Sequence, residues 1–196
     1  KEAITWSDIT SASFSGRYSE PGFMFDIKGS SGFPSHERIY YILGFLNSSV
    51  SQKCIKILNP TITTQVGDMA RIPVAFKEEI KDRVEFLVKQ NIELAKKDWD
   101  SCETSWDFIK HPLIKEFHYI KDAYNEWENE CKERFDTLKR NEEEINSIFI
   151  RIYGLSEEMT AAVGDKEVEA SYHHANIKRD IISLISYAVG CMFGRY

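Results

Sequence analysis

The sequence predicts an α+β fold that is predominantly α-helical, with a small β-rich N-terminal lobe, a long antiparallel helical hairpin and a C-terminal helix. Three observations predict it. Short apolar stretches bounded by Gly, Ser and Pro fill residues 1–35, helical periodicity governs residues 76–150, and an apolar helix follows near the end. With 196 residues, 42% of them hydrophobic, the chain can form one domain or two small ones.

The first 35 residues are predicted to form strands and turns. Residues 3–6 and 23–27 are short apolar or alternating stretches, and the clusters at 11–16, 20–22 and 29–32 separate them as turns. Two or three strands of this length are only marginally stable alone. We therefore expect a β-rich lobe that is one part of a larger structure, and the start at Lys1 rather than at Met supports that expectation.

Residues 36–75 are predicted to form two short helices and two short strands. Ser35 is the predicted N-cap of a helix that ends near Leu46, with apolar residues on one face. A second helix begins near Val50 and ends before Asn59-Pro60, because a residue before proline disfavours the helical conformation. Residues 61–66 and 69–74 are predicted strands on either side of a turn at 67–68.

Two long helices follow, and both have a clear apolar stripe. The first is predicted over residues 77–99, and the second from His111-Pro112 to about Ile150. Their short connection favours an antiparallel hairpin, and the second helix fits a coiled-coil heptad. One core position holds Phe117, Tyr124, Cys131, Leu138 and Ile145, and the other holds Ile120, Trp127 and Ile148, with Arg134 and Asn141 as polar interruptions.

The last 43 or so residues are predicted to contain one more complete helix. Residues 156–159 have the composition of a short acidic helix start, and residues 176–193 are predicted to form the final helix. Apolar side chains nearly surround that helix, so we expect it to be buried.

Charge and composition limit the function classes. The net charge is −6, but residues 1–75 carry seven Lys/Arg against six Asp/Glu, so the acidic balance belongs to the rest of the chain. The N-terminal part is therefore compatible with nucleic acid. The apolar runs are too short for a membrane span, no signal peptide is present, and a cytoplasmic location is predicted. Cysteines 54, 102, 131 and 191 are expected to be reduced and mostly buried.

No catalytic or metal-binding motif withstands a direct test. Amino-methyltransferases hold the target amine with an Asn/Asp-Pro-Pro-aromatic loop, and the segment at Asn59-Pro60 lacks the second proline and the aromatic residue. The glycines at 29–32 precede no clear phosphate-binding helix. Adjacent His173 and His174 do not share a helix face, so a metal pair there is not expected. We predict no catalytic residue, no metal and no cofactor in this chain.

The best predicted binding site is a set of polar loops in residues 5–34. Hydroxyl groups, two cations and glycine turns let a backbone approach phosphates closely. Arg17 could contact a base edge and Tyr18 could stack on a base. The predicted DNA-binding residues are Arg17, Tyr18, Lys28, Ser30 and Ser31. The alternative is that these residues form ordinary polar turns.

Four blocks along the chain resemble a known family. They are residues 6–10 with 17–18 and 22–26; residues 42–48 with 58–61, 65–68 and 72–74; residues 145–158, which include the turn Tyr153-Gly154-Leu155; and residues 185–196. In this order they resemble the end of the target-recognition domain and the helical spacer of N6-adenine-specific DNA methyltransferases. The last block resembles the PglX-type enzymes of BREX phage-defence systems, and the family also includes type II restriction-modification enzymes.

The resemblance implies a division of labour within a longer protein. Residues 1–75 would be the end of a target-recognition lobe, residues 76–153 a spacer made of an antiparallel helix pair, and residues 154–196 a C-terminal helical segment. The S-adenosylmethionine-binding catalytic domain of the same chain would lie outside this sequence, and double-stranded DNA would be bound through the whole protein.

A second hypothesis comes from a different class of function. The heptad of the long helix, with Tyr124 and Trp127 on its seam, would suit a protein-interaction module that docks a subunit or a domain. A partner helix from outside the sequence or a second copy of the chain would then cover the seam. No motif supports a stand-alone enzyme.

Overall fold

The computed structural model describes residues 1–11, 13–26, 28–165, 172 and 174–196. Three strands and six helices are found there, which confirms the predicted α+β, mostly helical fold. They are β1 Ala3–Ser7, β2 Arg17–Ser19, β3 Gly29–Gly32, α1 Ile39–Leu46, α2 Ser49–Leu58, α3 Val66–Met69, α4 Glu78–Trp99, α5 Ile120–Ile152 and α6 Ile177–Met192. No helix of the described residues is long and apolar enough to cross a membrane.

The chain folds into two compact units that are not continuous in sequence. Unit 1 contains Lys1–Gln90 and Asn141–Ala162, and unit 2 contains Asn91–Arg140 and Val163–Tyr196. Each unit therefore uses one part of α4 and one part of α5. The division of the sequence into the segments 1–75, 76–153 and 154–196 stays a prediction about its functional organisation.

The N-terminal sheet has the strand order β2-β1-β3, and both pairings are antiparallel. The strand predicted at residues 3–6 is confirmed. The strand predicted at 23–27 is wrong, because residues 23–26 are irregular and exposed, and Ile27 lies outside the described residues. The glycine-rich stretch predicted as a turn forms β3 instead. Pairing with β1 overrides its weak strand propensity, and Gly32 has room beside the Trp6 ring.

Two side-chain amides bind the segment that leads into β2. Asn47 accepts a hydrogen bond from the Gly16 N–H at 2.8 Å and donates to the Gly16 carbonyl at 3.0 Å. Gln52 makes the same pair of bonds with the backbone of Phe14, at 3.1 and 2.7 Å. These side-chain bonds satisfy backbone N–H and C=O groups that would otherwise need a neighbouring strand as a partner. The small sheet is thus stabilised by the helices that follow it.

The first two helices agree only in part with the prediction. Helix α1 begins at Ile39, so Ser35 is not its N-cap; the Ser35 carbonyl instead accepts from the Arg38 N–H in a preceding turn. Helix α2 has the predicted extent, with the Ser48 hydroxyl accepting from the Ser51 N–H as its N-cap.

The two strands predicted between residues 61 and 74 are wrong. A single helical turn, α3, takes their place, and Gln65 and Asp68 close it as a capping box. Asn59 donates to the Asp68 carboxylate at 2.7 Å and to the Thr63 carbonyl at 3.0 Å, so its amide fixes this loop. The hydrogen bonds that the Asp68 carboxylate accepts from Asn59 and from the Gln65 N–H hold its pKa below the usual value. One isolated bridge pairs residue 9 with residue 63.

An aromatic cluster forms the centre of unit 1. Phe149 on α5 makes edge contacts with Tyr41 and Phe45 on α1, with ring centroids 5.5 and 5.2 Å apart. All three side chains are fully buried. Beside them Gly44 faces α4 so closely that a β-carbon would lie 2.8 Å from a Val88 methyl group. Helix α1 therefore packs tightly against α4.

Helices α4 and α5 are antiparallel, as predicted. In unit 1 the Arg83 guanidinium donates to both Glu144 oxygens at 2.6 and 2.7 Å, and Asn141 donates to Gln90 at 2.8 Å. The second pair gives the buried amide of Asn141, a polar interruption of the heptad, a hydrogen-bond partner. In unit 2 Leu94 of α4 packs against a cluster that includes Leu138 of α5.

Helix α5 begins nine residues later than predicted. Residues 111–119 form turns, in which the His111 ring accepts from the Leu113 N–H at 3.2 Å. The heptad positions at Phe117 and Ile120 are exposed, so they do not belong to the core. The helix ends at Ile152, and Gly154 in the following turn has a φ of 69° that allows a bond from the Leu155 N–H back to the Ile150 carbonyl.

Helix α6 packs on the seam of α5 within unit 2. Its Ile181 and Leu184 contact a buried cluster that includes Trp127 and Cys131. The expected burial of α6 against another element is found on this inner face, whereas its opposite face is exposed. The short helix predicted at 156–159 is a turn. All four cysteines are free, but only Cys131 is buried, so the expectation of mostly buried thiols is also wrong.

Candidate nucleic-acid interface

The register of the sheet shows which of the predicted DNA-binding residues share a face. Thr5, at the centre of β1, lies opposite Arg17 on one neighbouring strand and Ser31 on the other. Residues directly opposite in an antiparallel pair share a face, so these three form one polar row across the sheet. Strands are spaced about 4.8 Å apart, which places Arg17 and Ser31 roughly 10 Å from each other.

Lys28 extends this group towards one end of the sheet. It precedes β3, and its carbonyl accepts from the Asp8 N–H at 3.4 Å, three residues beyond Thr5 along β1. That offset corresponds to roughly 10 Å along the strand. The side chains of Arg17 and Lys28 are exposed, and neither forms an ion pair with a side chain in the described part of the molecule. Arg17 thus lies beside the row of hydroxyl groups, and Lys28 lies beyond the end of β3, two residues before Ser30.

Tyr18 lies on the opposite face of the sheet. It pairs with Ile4, its ring lies 5.3 Å from the ring of Tyr40, and its hydroxyl donates to Glu2 at 2.9 Å. Burial raises the pKa of Tyr18, and the hydrogen bonds of its hydroxyl act in the same direction. The ring is thus engaged in packing against α1, and its stacking on a base stays a prediction.

The two serines are separated by the same alternation. Ser30 pairs with Trp6, whose indole N–H donates to the Thr64 carbonyl at 2.8 Å, so this serine lies on the packed side. Ser31 is on the side of Arg17, and its hydroxyl donates to the Gly29 carbonyl at 3.0 Å. The hydroxyl oxygen of Ser31 keeps lone pairs for a further partner. The structure therefore brings together Arg17 and Ser31, with Lys28 near them, and separates Tyr18 and Ser30 from that row.

The glycine-rich stretch at residues 29–32 does not form a cofactor-binding turn. It is the edge strand β3 of an antiparallel sheet, and turns follow it. No group of three or more His, Cys, Asp or Glu side chains lies close enough to hold a metal ion, within the part of the chain that the structure describes. His173 lies outside the described residues.

Two curated methyltransferases are similar to this chain along its whole length, although no protein-family model matches it. It is 43% identical over 203 residues to the adenine-specific methyltransferase PglX of Lacticaseibacillus casei (strain Zhang). It is 31% identical over 212 residues to the adenine-specific methyltransferase BrxX of Escherichia coli O9:H4 (strain HS). The whole chain is therefore similar to one segment of each of these methyltransferases. It spans 17% of the length of each relative.

The chain also contains a pocket that the sequence did not predict. It lies in unit 2, has a volume of about 470 Å³ and is mostly apolar. Lys115 and Glu130 form an ion pair at its wall, with a 2.5 Å separation. The lining residues are Lys110, His111, Pro112, Ile114, Lys115, Glu116, Trp127 and Glu130. Turns, rather than a periodic element, supply most of them, so no spacing in the sequence points to the pocket.

His111 makes the stability of unit 2 depend on pH. Burial lowers the pKa of His111, while Asp180 and Glu103 act in the opposite direction. Its Nδ1 accepts a hydrogen bond from the Leu113 N–H, which requires the neutral ring. Because the unfolded chain binds this proton more readily, stability is present at neutral pH and is lost as the pH falls below about 6.5.

Urea unfolding of unit 2 at several pH values tests this dependence. Just below pH 6.5, we expect the free energy of unfolding to fall more steeply in wild type than in His111→Gln. The difference should be at most about 1.4 kcal/mol per pH unit. Glutamine can accept the same N–H but does not titrate in this range. Equal losses in the two proteins would show that His111 does not cause the effect.

The structure also changes the protein-interaction hypothesis. Tyr124 and Trp127, the seam residues that were expected to meet an outside partner, are buried in a cluster that α6 of the same chain covers. The polar interruption at residue 134 stacks over the indole ring of Trp127, with its guanidinium carbon 4.7 Å from the ring centroid. Any outside partner would therefore have to contact a different surface.

Proposed function

We propose that this segment is a non-catalytic, DNA-contacting part of an S-adenosylmethionine-dependent adenine-specific DNA methyltransferase that acts in phage defence or restriction-modification. The outer face of the N-terminal sheet would bind the DNA backbone, and the α4–α5 pair would serve as the spacer. The cofactor and the catalytic residues would belong to parts of the longer protein outside this segment. The adenine-specific methyltransferases to which the whole chain is similar support this proposal.

The row of Arg17, Thr5 and Ser31 is the observation that carries the proposal. Most hydrogen bonds between proteins and DNA go to phosphate and sugar, and they come from Arg, Lys and hydroxyl side chains. Arg17 and Lys28 lie far enough apart to reach different phosphates, and the Ser31 hydroxyl would have to rotate away from the Gly29 carbonyl to donate to a phosphate. Two cations give weak binding by themselves, so the segment would act together with the rest of the methyltransferase.

Removing the two cations together tests the proposed face. In a full-length methyltransferase that carries this segment, we expect Arg17→Ala/Lys28→Ala to weaken DNA binding roughly tenfold at moderate salt. The slope of log affinity against log salt should decrease by about 2, since two phosphate contacts are lost. Fluorescence anisotropy with a labelled duplex over a series of salt concentrations measures both quantities.

The control variant Lys53→Ala/Lys56→Ala removes the same charge from exposed positions on α2. We expect it to change the affinity for DNA less than about twofold, because it alters only the overall electrostatic field of the protein. Equal losses in the two double variants would show that this face has no special role. A wild-type enzyme that binds duplex DNA without any dependence on salt would contradict the proposed function itself.

A further inference from the structure

The outer face of α6 carries a stripe of large apolar side chains that no described residue covers. Ile182, Ile185, Val189 and Met192 are 59, 59, 45 and 84% exposed, and Phe193 just beyond the helix is 85% exposed. The inner face of the same helix packs on the cluster around Trp127. No Asp, Glu, Lys or Arg occurs between residues 181 and 194. The exposed side of α6 thus has the composition of a protein interior.

The spacing of the stripe indicates what shape of partner fits it. Its four helical residues are three, four and three positions apart. This is the heptad spacing of side chains that pack into the holes of a neighbouring helix. A strand or a loop would not present matching holes at that interval. The partner is therefore expected to be a helix with its own apolar stripe.

The size of the stripe separates two sources for that helix. The five side chains expose on the order of 600 Å² of apolar surface, at the upper end of the largest patch found on a typical monomer. Contacts between domains of one chain begin near about 600 Å². A stable complex of two separate molecules usually buries about 800 Å² on each partner. This area is at the lower limit for two separate molecules, whereas a helix in the same polypeptide can bind a surface of this size because tethering raises its effective concentration.

We propose that the stripe of α6 docks a helix from another part of the methyltransferase chain. The proposal rests on the proposed function, in which the segment works within a longer protein. Both relatives have room for such a partner, since the matched segment is 17% of their length. The absence of charge suits a permanent intramolecular contact, because obligate interfaces are more apolar than transient ones. The contact fixes unit 2 to the part of the enzyme that supplies the helix.

Methionine oxidation can detect the docked helix without any DNA. Met192 lies on the stripe, and Met24, which is 97% exposed in unit 1, is an internal reference. In the 196-residue chain at low concentration, we expect hydrogen peroxide to oxidise both residues at similar rates, since exposure governs the reaction. In the full-length methyltransferase, Met192 should react roughly tenfold more slowly than in the isolated chain. Mass spectrometry of the peptides gives the two rates.

Two variants show whether the stripe itself causes the protection. Ile185→Glu adds a charge at the centre of the stripe and should restore the oxidation of Met192 in the full-length enzyme. Ile109→Glu, at a more exposed isoleucine outside α6, should leave Met192 protected.

Three results would overturn the proposal. Met192 could react equally fast in both proteins, it could remain protected in Ile185→Glu, or it could become protected in the isolated chain as its concentration rises, which would identify a second copy as the partner. Because DNA is absent, these results are independent of the test of the DNA-binding face.

Discussion

Phe149→Ala is expected to destabilise unit 1 by about 3–5 kcal/mol, the largest effect of any single substitution considered for this chain. Phe149 is fully buried, and its ring makes edge contacts with the rings of Tyr41 and Phe45. Truncation removes both aromatic contacts and leaves a cavity between α1 and α5 that tightly packed neighbours cannot fill. Since whole domains are stable by only about 5–15 kcal/mol, much of unit 1 would unfold in mild urea.

Tryptophan fluorescence and hydrogen exchange measure this loss separately for unit 1. Trp6 is the one tryptophan of that unit, and it is buried in the sheet. The matched control is Phe86→Ala on α4, where the ring is half exposed and the expected cost is less than about 1 kcal/mol. If both variants had the same urea midpoint, Phe149 would not be part of the stabilising core.

Asp180→Ala is expected to cost unit 2 about 2–4 kcal/mol. The buried Asp180 carboxylate accepts from the Trp127 indole at 3.2 Å and from the Asn176 N–H at 2.9 Å. It also accepts from Arg179 at 3.1 Å. Alanine would leave the buried indole N–H without an acceptor and would weaken the start of α6, where Asn176 is the N-cap. We expect a lower urea midpoint, a shift in Trp127 emission and faster hydrogen exchange in α6.

An exposed aspartate in the same unit provides the control. Asp165 forms a 2.6 Å ion pair with Lys139, and its replacement by alanine should cost less than about 1 kcal/mol, as is typical of surface pairs. Asp180→Asn keeps one oxygen acceptor and should fall between wild type and Asp180→Ala. A loss in Asp180→Ala no larger than that in Asp165→Ala would mean that the buried hydrogen bonds contribute little.

Long helices were predictable from the sequence because their signal is repeated many times. The prediction of α4 is correct to within a residue at its start, since each turn adds another apolar residue to one stripe. Helix α2 and α6 also have strong local signals, namely the caps Ser48 and Asn176. The start of α5 was missed because Pro112 is compatible both with a first helical turn and with a loop. The hydrogen bond from the Leu113 N–H to the His111 ring stabilises the loop.

Short β elements were poorly predicted because distant residues determine them. The stretch Gly29–Gly32 has no intrinsic preference for a strand, and it becomes one only by pairing with β1. The more apolar residues 23–26 remain an exposed loop. The same dependence affects the candidate site, since the sequence could name Arg17, Lys28 and Ser31 but could not show which side chains share a face. Register alone places Arg17 with Ser31 and separates both from Tyr18 and Ser30.

The sequence by itself determined the mostly helical α+β class, the antiparallel pair of long helices and the resemblance to adenine-specific methyltransferases. Local periodicity and the order of motif-like blocks along the chain can be seen without coordinates. Only the tertiary structure decided that α6 covers the seam of α5 and leaves its own second apolar stripe exposed. Periodicity shows that a helix has apolar faces, but which neighbour buries each face depends on how the whole chain packs.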